Sequence, residues 1–386
     1  MGVEIRDCVV GDLDAALDVR TRSFGPISAS SAEQWRSMQE RAIDEGRLLA
    51  AYDGRRLVAM GRITAFRQWW HGEAMPMAGV GGVVVAPEHR GSGVGRRLMT
   101  AILGRAADHG YPLSALYPST APPYRAVGFE LAGRQHFVTV PAEAVRTIAP
   151  ASRVEVRRAG PHDVADVMAT VARVHARHLD CGPIEWPSHD VAEWLGEDET
   201  FAYLADDGFV AYRWDGSNAL AVDVIVGDSE NTVRALWALV GSGSSVVKTI
   251  RACVPPDDSL RLLTRDLTVT TDKDVWWLLR VVDAPAAVAA RGFPHGVEVE
   301  VPVTVADPLV SGNTGAWLLQ VKDGRGQLVP GDGGGIELAA NGFAALFAGT
   351  RVSMLRQAGL ATGGDPGMDG MLDAAFVGTA FMLDYF

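Results

Sequence analysis

The chain has 386 residues, 48% of them hydrophobic and 21% charged, with a formal net charge of −12. That length predicts two or three domains. No apolar run approaches the roughly 20 residues a membrane helix needs, and the acidic balance argues against nucleic acid while favouring cationic ligands. Three widely spaced cysteines, Cys8, Cys181 and Cys253, suggest neither a disulfide framework nor a metal cluster, and the charged start M-G-V-E-I-R-D is unlike a signal peptide, so a cytoplasmic protein is expected.

Val3 to Cys8 has strand character, and Gly11-Asp12 opens a helix whose Leu13, Ala16 and Leu17 recur at helical spacing. Asp53-Gly54, between Leu48–Tyr52 and Arg56–Ala65, is a hairpin signal. The next stretch, Val83 to Met99, reads V-V-V-A-P-E-H-R-G-S-G-V-G-R-R-L-M. Its β-branched run predicts a buried strand, Pro87 stops it, Arg90 to Gly95 is a glycine-spaced loop, and helical spacing follows. Glycines at 91, 93 and 95 let backbone N–H groups crowd towards a ligand at a helix start, where the dipole is positive. That is a cradle for a diphosphate, although the spacing is neither a P-loop nor a Rossmann fingerprint. Ser114 to Tyr117 then reads as a strand, Pro118 to Pro123 as a loop, and Tyr124-Arg-Ala-Val-Gly-Phe129 follows.

Near Ala151 the opening pattern returns. V-E-V-R-R-A-G-P-H-D-V-A-D-V (154 to 167) echoes V-E-I-R-D-C-V-V-G-D-L-D-A-A-L (3 to 17), which indicates an internal duplication. Phe201–Ala205 and Gly208–Trp214 bracket Asp206-Asp207 as a second hairpin, and Ala221–Val226 runs into Gly227-Asp-Ser-Glu-Asn231. Asp228 and Glu230 there would repel a diphosphate, so the second copy is expected to bind none and to wall the first copy's cleft. His175 and His178 have metal-ligand spacing, but with no further ligand evident they are expected on a solvated helix face.

A third region begins near Arg291. Val297 to Val305 alternates as a half-wet strand, Asp307-Pro308 and Ser311 to Gly315 read as turns, and Ala316 to Lys322 is another strand. The run Gly331-Asp-Gly-Gly-Gly335 has no P-loop lysine after it and is expected to be a flexible surface turn. The tail Phe381-Met-Leu-Asp-Tyr-Phe386 is apolar enough to favour docking over fraying.

Val-x-Val-x-Pro-x-x-Arg-Gly-x-Gly-x-Gly resembles the acetyl-CoA motif of the GNAT N-acetyltransferases, and Tyr124-x-x-x-Gly-Phe129 is a second feature of that family. The two GNAT-like halves, the segment W-W-L-L-R-V-V-D-A-P-A-A-V-A-A-R (276 to 291) and the ending Leu383-Asp-Tyr-Phe386 resemble the Eis family of aminoglycoside and lysine-type N-acetyltransferases over essentially the full length. The resemblance implies two tandem GNAT-like mixed-sheet domains (1–148 and 149–290, the second lacking the cofactor loop) and an α+β domain like sterol carrier proteins (291–386). It also implies a homohexamer acting on small-molecule amines, with no metal, membrane or nucleic acid.

Carried over residue by residue, acetyl-CoA would lie along Val83, Val84 and Val85, on Arg90, Gly91, Ser92, Gly93, Val94, Gly95 and Arg96, and beside Ser119 and Thr120. Tyr124, protonated at neutral pH, would be the acid for a departing thiolate, with Tyr117 as fallback. The α-carboxylate of Phe386 would be the base, its low pKa raised by burial. Trp35 and Phe24 would wall the amine, with Asp384 and Glu33 as nearby acids. Aminoglycoside-acetylating relatives often carry carboxylates in the loop before the tryptophan, whereas Ser23 to Ser31 has none, so a less cationic amine is also expected to fit. The competing expectations are an acetyltransferase dedicated to one metabolite or peptide antibiotic, and a lipid-binding protein with vestigial GNAT domains.

Overall fold

A computed structural model describes residues 2–386. Thirteen strands form one mixed sheet: β1 (Glu4–Asp7), β2 (Leu48–Asp53), β3 (Arg56–Trp70), β4 (Glu73–Val85), β5 (Leu113–Leu116), β6 (Glu130–Pro141), β7 (Arg157–Ala159), β8 (Cys181–Glu185), β9 (Phe201–Ala205), β10 (Gly208–Asp215), β11 (Ala219–Gly227), β12 (Thr249–Val254) and β13 (Thr270–Val281). Helices α1 (Leu13–Phe24), α2 (Ala29–Asp44), α3 (Val94–Asp108) and the single turn α4 (Pro122–Arg125) belong to the first half.

The duplication read from the sequence is visible as architecture. In each half two antiparallel strand pairs lead through a helix to a parallel partner: β2–β3–β4, α3, β5 in the first, and β9–β10–β11, helix Glu230–Gly241, β12 in the second. The strand order β4-β5-β13-β6-β12-β11 shows that the halves exchange their final strands. Strand β13 pairs with β5 from Leu278↔Leu116 to Val281↔Leu113, and β6 pairs with β12 from Thr249↔Pro141 to Val254↔His136. Backbone hydrogen bonds therefore run unbroken across the join, and neither half closes its sheet alone.

Each half also contains a strand pair that parts. Strands β4 and β5 pair only from Met77↔Leu113 to Gly79↔Ala115, although β4 continues to Val85. Strands β11 and β12 pair from Ala219↔Thr249 to Val222↔Ala252, although β11 continues to Gly227.

The third unit has a five-stranded sheet, β14 (Val299–Ala306), β15 (Gly315–Lys322), β16 (Arg325–Pro330), β17 (Ile336–Ala339) and β18 (Ala361–Gly363), in the order β16-β15-β14-β17-β18. Gly331 to Gly335 is not the free surface turn expected. A Cβ on Gly335 would collide with the Pro302 carbonyl, and one on Gly331 would lie 2.8 Å from the Trp317 backbone. These glycines let main chains touch.

Two buried arginines fix this unit to the sheet. Arg280 on β13 donates to both oxygens of Asp307 at 2.7 and 2.6 Å and to the Val127 carbonyl, and Asp307 also accepts from Asn313 and from the N–H groups of Leu309 and Val310. The sequence marks Asp307-Pro308 only as a turn; the fold buries its carboxylate. Arg291 lies within a cage of Trp70, Phe293, Phe347 and Phe376, 5.0 to 5.6 Å from each ring, and donates to the carbonyls of Phe347 and Phe376.

Asp307→Ala strands the Arg280 guanidinium in a dry interior, so denaturant titration should show a loss of about 3–5 kcal/mol. An unchanged unfolding midpoint would show that the pair is not needed to hold the third unit in place.

Candidate active site

Pro87 ends β4, and the chain crosses to α3 through Gly91 (φ 75°) and Gly93 (φ 82°), a left-handed backbone that glycine adopts without steric cost. A Cβ at either position would meet nothing within 4 Å, so the loop faces open space. Among the described residues, the N–H groups of Gly91 to Arg96 have no hydrogen-bond acceptor. Ser92 turns its hydroxyl back to the His89 carbonyl and Arg90 reaches the Val85 carbonyl, closing the loop on itself. Free N–H groups at a helix start, where the dipole is positive, form a cradle that suits an anionic group.

The parted strands extend this cradle. A bulge at Gly82 (φ 61°) between Met60 and Arg62 of the register twists β4. Val84 then points into the core, while Val83 and Val85 are half-buried. Ser119 and Thr120 follow β5 on the opposite lip and are exposed.

The chain's last residues arrive where the strands separate. The Phe381 N–H donates to Cys181, the Met382 N–H to Arg134, the Gln135 side chain to the Leu383 carbonyl, and the Tyr117 hydroxyl to the Asp384 carbonyl at 2.7 Å. Gly133 and Gly182 make room, since a Cβ on either would strike the tail's backbone. The Phe386 ring lies 4.9 Å from Phe66 and 5.5 Å from Tyr117, and a Cβ at Gly79 would sit 3.0 Å from it. Gly79 is the last residue of β4 paired with β5. Tyr117, the sequence's fallback acid, thus anchors the tail and stacks on Tyr385 at 4.5 Å. Tyr124 is half-buried against Phe129, its hydroxyl has no partner among the described residues, and burial, then nearby Tyr385, raises its pKa.

A cleft of about 850 Å³ opens beside the tail, between α2, the second half and Asp384-Tyr385. Its α2 wall is Gln34, Ser37, Met38 and Arg41, one helical face. Trp35 turns the other way, into the first half's core, and Phe24 is exposed at the end of α1, so the structure brings neither to this cleft. Asp384 does line it. The remaining carboxylates, Asp190, Glu193, Glu197 and Asp223, come from the second half and escaped the sequence reading, although the first three have the helical i, i+3, i+7 spacing that could have revealed them. Asp190 lies 3.8 Å from Arg41 and Asp223 3.3 Å from Arg213.

His175 is not on a solvated face. It is buried, with Nδ1 2.7 Å from Asp180, while His178 is exposed. No group of three or more His, Cys, Asp or Glu side chains suited to a metal is found among the described residues, and no helix is long and apolar enough to cross a membrane.

The fold is that of the GCN5-related N-acetyltransferases, as comparison with known proteins shows. Residues 4–132 and 183–281 match acetyltransferase (GNAT) domains, and 284–383 a sterol carrier protein domain. The N-acetyltransferase Eis of Mycobacterium tuberculosis is 30% identical over 375 residues, 91% of this chain and 90% of that one. The chain therefore belongs to the Eis family of N-acetyltransferases. A GCN5-related N-acetyltransferase from Kribbella flavida superposes with a TM-score of 0.96 at 44% identity, covering 100% of this chain and 98% of that one. Eis1 from Mycobacterium abscessus shares the fold, with a TM-score of 0.78 at 23% identity over 99% of this chain and all of that one.

Burial pushes the Asp384 pKa up to about 6, aided by Asp223 and opposed by the Trp186 indole N–H and by His175. The carboxylate is therefore ionised above that pH and neutral below it. The KM for a cationic amine should rise about tenfold per pH unit below 6 and lose that limb in Asp384→Asn. Steady-state kinetics from pH 5 to 8 checks this, and an identical acid limb in the variant would assign it to another group.

Proposed function

We propose that the first half catalyses direct transfer of an acetyl group from acetyl-CoA to a primary amine held in the cleft. The observation that carries this reading is the Phe386 ring at Gly79, where β4 and β5 part, with the free amides of Gly91 to Arg96 beyond the far end of the same strand. Val83 to Val85, Arg90 to Arg96, Ser119 and Thr120 would hold acetyl-CoA, which supplies the acetyl group as a thioester. Tyr124, whose raised pKa keeps it protonated at neutral pH, gives its hydroxyl proton to the departing sulfur. The Phe386 carboxylate accepts the proton that the amine sheds. Val80 to Val85, unpaired towards β5, offer backbone donors for charge developing on the acyl oxygen.

The second half is proposed to hold no acetyl-CoA. Phe381 and Leu383 fill its own strand gap against Val224, Val226 and Cys253, and Asp228 lies at the helix start there. Family resemblance puts aminoglycosides first and lysine-type or polyamine substrates second, and supports a cytoplasmic homohexamer. The pairing of Asp190 with Arg41 and of Asp223 with Arg213 favours the second reading, a transferase for one less cationic amine. The aromatic cage that holds Arg291 fills part of the third unit with the protein's own side chains, which weighs against a lipid carrier.

Thiol release from acetyl-CoA over a panel of aminoglycosides, polyamines and lysine peptides tests the activity, and silence on every amine would remove it. Tyr124→Phe should lower kcat about a hundredfold with acetyl-CoA affinity nearly intact; an equal loss of binding would make the residue structural. One alanine added after Phe386 should abolish turnover without unfolding, and full activity would eliminate the terminal base.

A further inference from the structure

We propose that the cavity behind Trp186 receives the apolar arm of the substrate, so that the preferred acceptor is a primary amine with a single ammonium and a hydrocarbon or aryl arm. This deepens the acetyl-transfer reading and rests on it. The cavity, about 300 Å³, lies in the second half against helix Val164–His178 and is lined largely by hydrocarbon, including Val167, Val171, Ile184, Val191, Phe209 and Leu383. Trp186, Trp194 and Asp384 line both this cavity and the larger cleft, so the two spaces share a wall.

Charge selects the occupant. The titratable groups on the cavity are His175, Glu185 and Asp384. His175 is bonded to Asp180 and Glu185 lies 3.4 Å from Arg67. Asp384 has no basic partner within salt-bridge distance among the described residues, and the neighbours that favour its charged form are Trp186 and His175. In the cleft, Arg41 and Arg213 already engage Asp190 and Asp223. Glu193 and Glu197 line the cleft without an ion pair among the described residues, but the cations Arg251 and Lys273 line it too. A polycation there meets Arg41, Arg213, Arg251 and Lys273, whereas one ammonium at Asp384 meets a carboxylate with no ion pair among the described residues. Position fits as well. Phe66 touches both Trp186 and Phe386 at 4.9 Å, so an arm behind Trp186 leaves its amine between Asp384 and the strand gap.

Calorimetric titration of the full chain with butylamine, hexylamine and octylamine tests this. Affinity should rise about fourfold per methylene until the cavity is full, the gain expected from burying a CH₂ group. Hexamethylenediamine should bind more weakly than hexylamine, because its second ammonium would enter hydrocarbon. Ala172→Phe, at a half-buried lining position, should flatten the slope, and Met168→Ala should carry it to longer amines. A flat series in the native protein, a diamine that binds as well as hexylamine, or a slope unchanged by Ala172→Phe would overturn the inference. Thiol release with the same amines is read separately. Silence on all of them would be the failure of the acetyl-transfer reading, while a flat binding series with active transfer would remove the apolar arm alone.

Discussion

Everything around the site depends on the main chain of the tail threading between β6 and β8. Ala380 and Phe381 bridge to Cys181 and Arg134, and Gly133 and Gly182 supply the only side-chain size that lets backbones approach so closely. From there the tail has no freedom to wander. Gln135 and Tyr117 take the Leu383 and Asp384 carbonyls, which leaves the Phe386 ring over Gly79.

This threading explains the order of the three units. The third unit carries the tail, and it can deliver the last residues to the first half only if it is rigidly held. Arg280 and Arg291 hold it at two points, one by an ion pair whose single Nη2 reaches both Asp307 oxygens and one by four aromatic rings. Buried charges are costly unless fully partnered, and these sit where the unit meets β13 and Trp70.

The second half is bound into the same arrangement. By exchanging β6 and β13 the two halves share one ladder, so the cleft between them has walls fixed by backbone hydrogen bonds. Apart from Asp384 of the tail, its carboxylates and its tryptophans come from the second half, while the amides of the cradle belong to the first. The tail residues on the way to Phe386 also fill the second half's own strand gap, where Phe381 and Leu383 pack against Cys253, Val224 and Val226.

Local chemistry was legible in the sequence. Glycine spacing at 91, 93 and 95, Pro87 before it and the β-branched run at 83–85 determine a strand, a loop and a helix start within a short stretch, because backbone dihedral preferences act between neighbours. The repeat at 154–167 and the apolar tail were legible for similar reasons. What only tertiary structure decided are the relations between distant segments. Strand exchange, the burial of Asp307 and His175, the turning of Trp35 into the core and the arrival of Asp190, Glu193 and Asp223 at the cleft depend on which surfaces exclude water together. A pattern of residue types fixes the face a side chain takes on its own element, but not the element that covers that face.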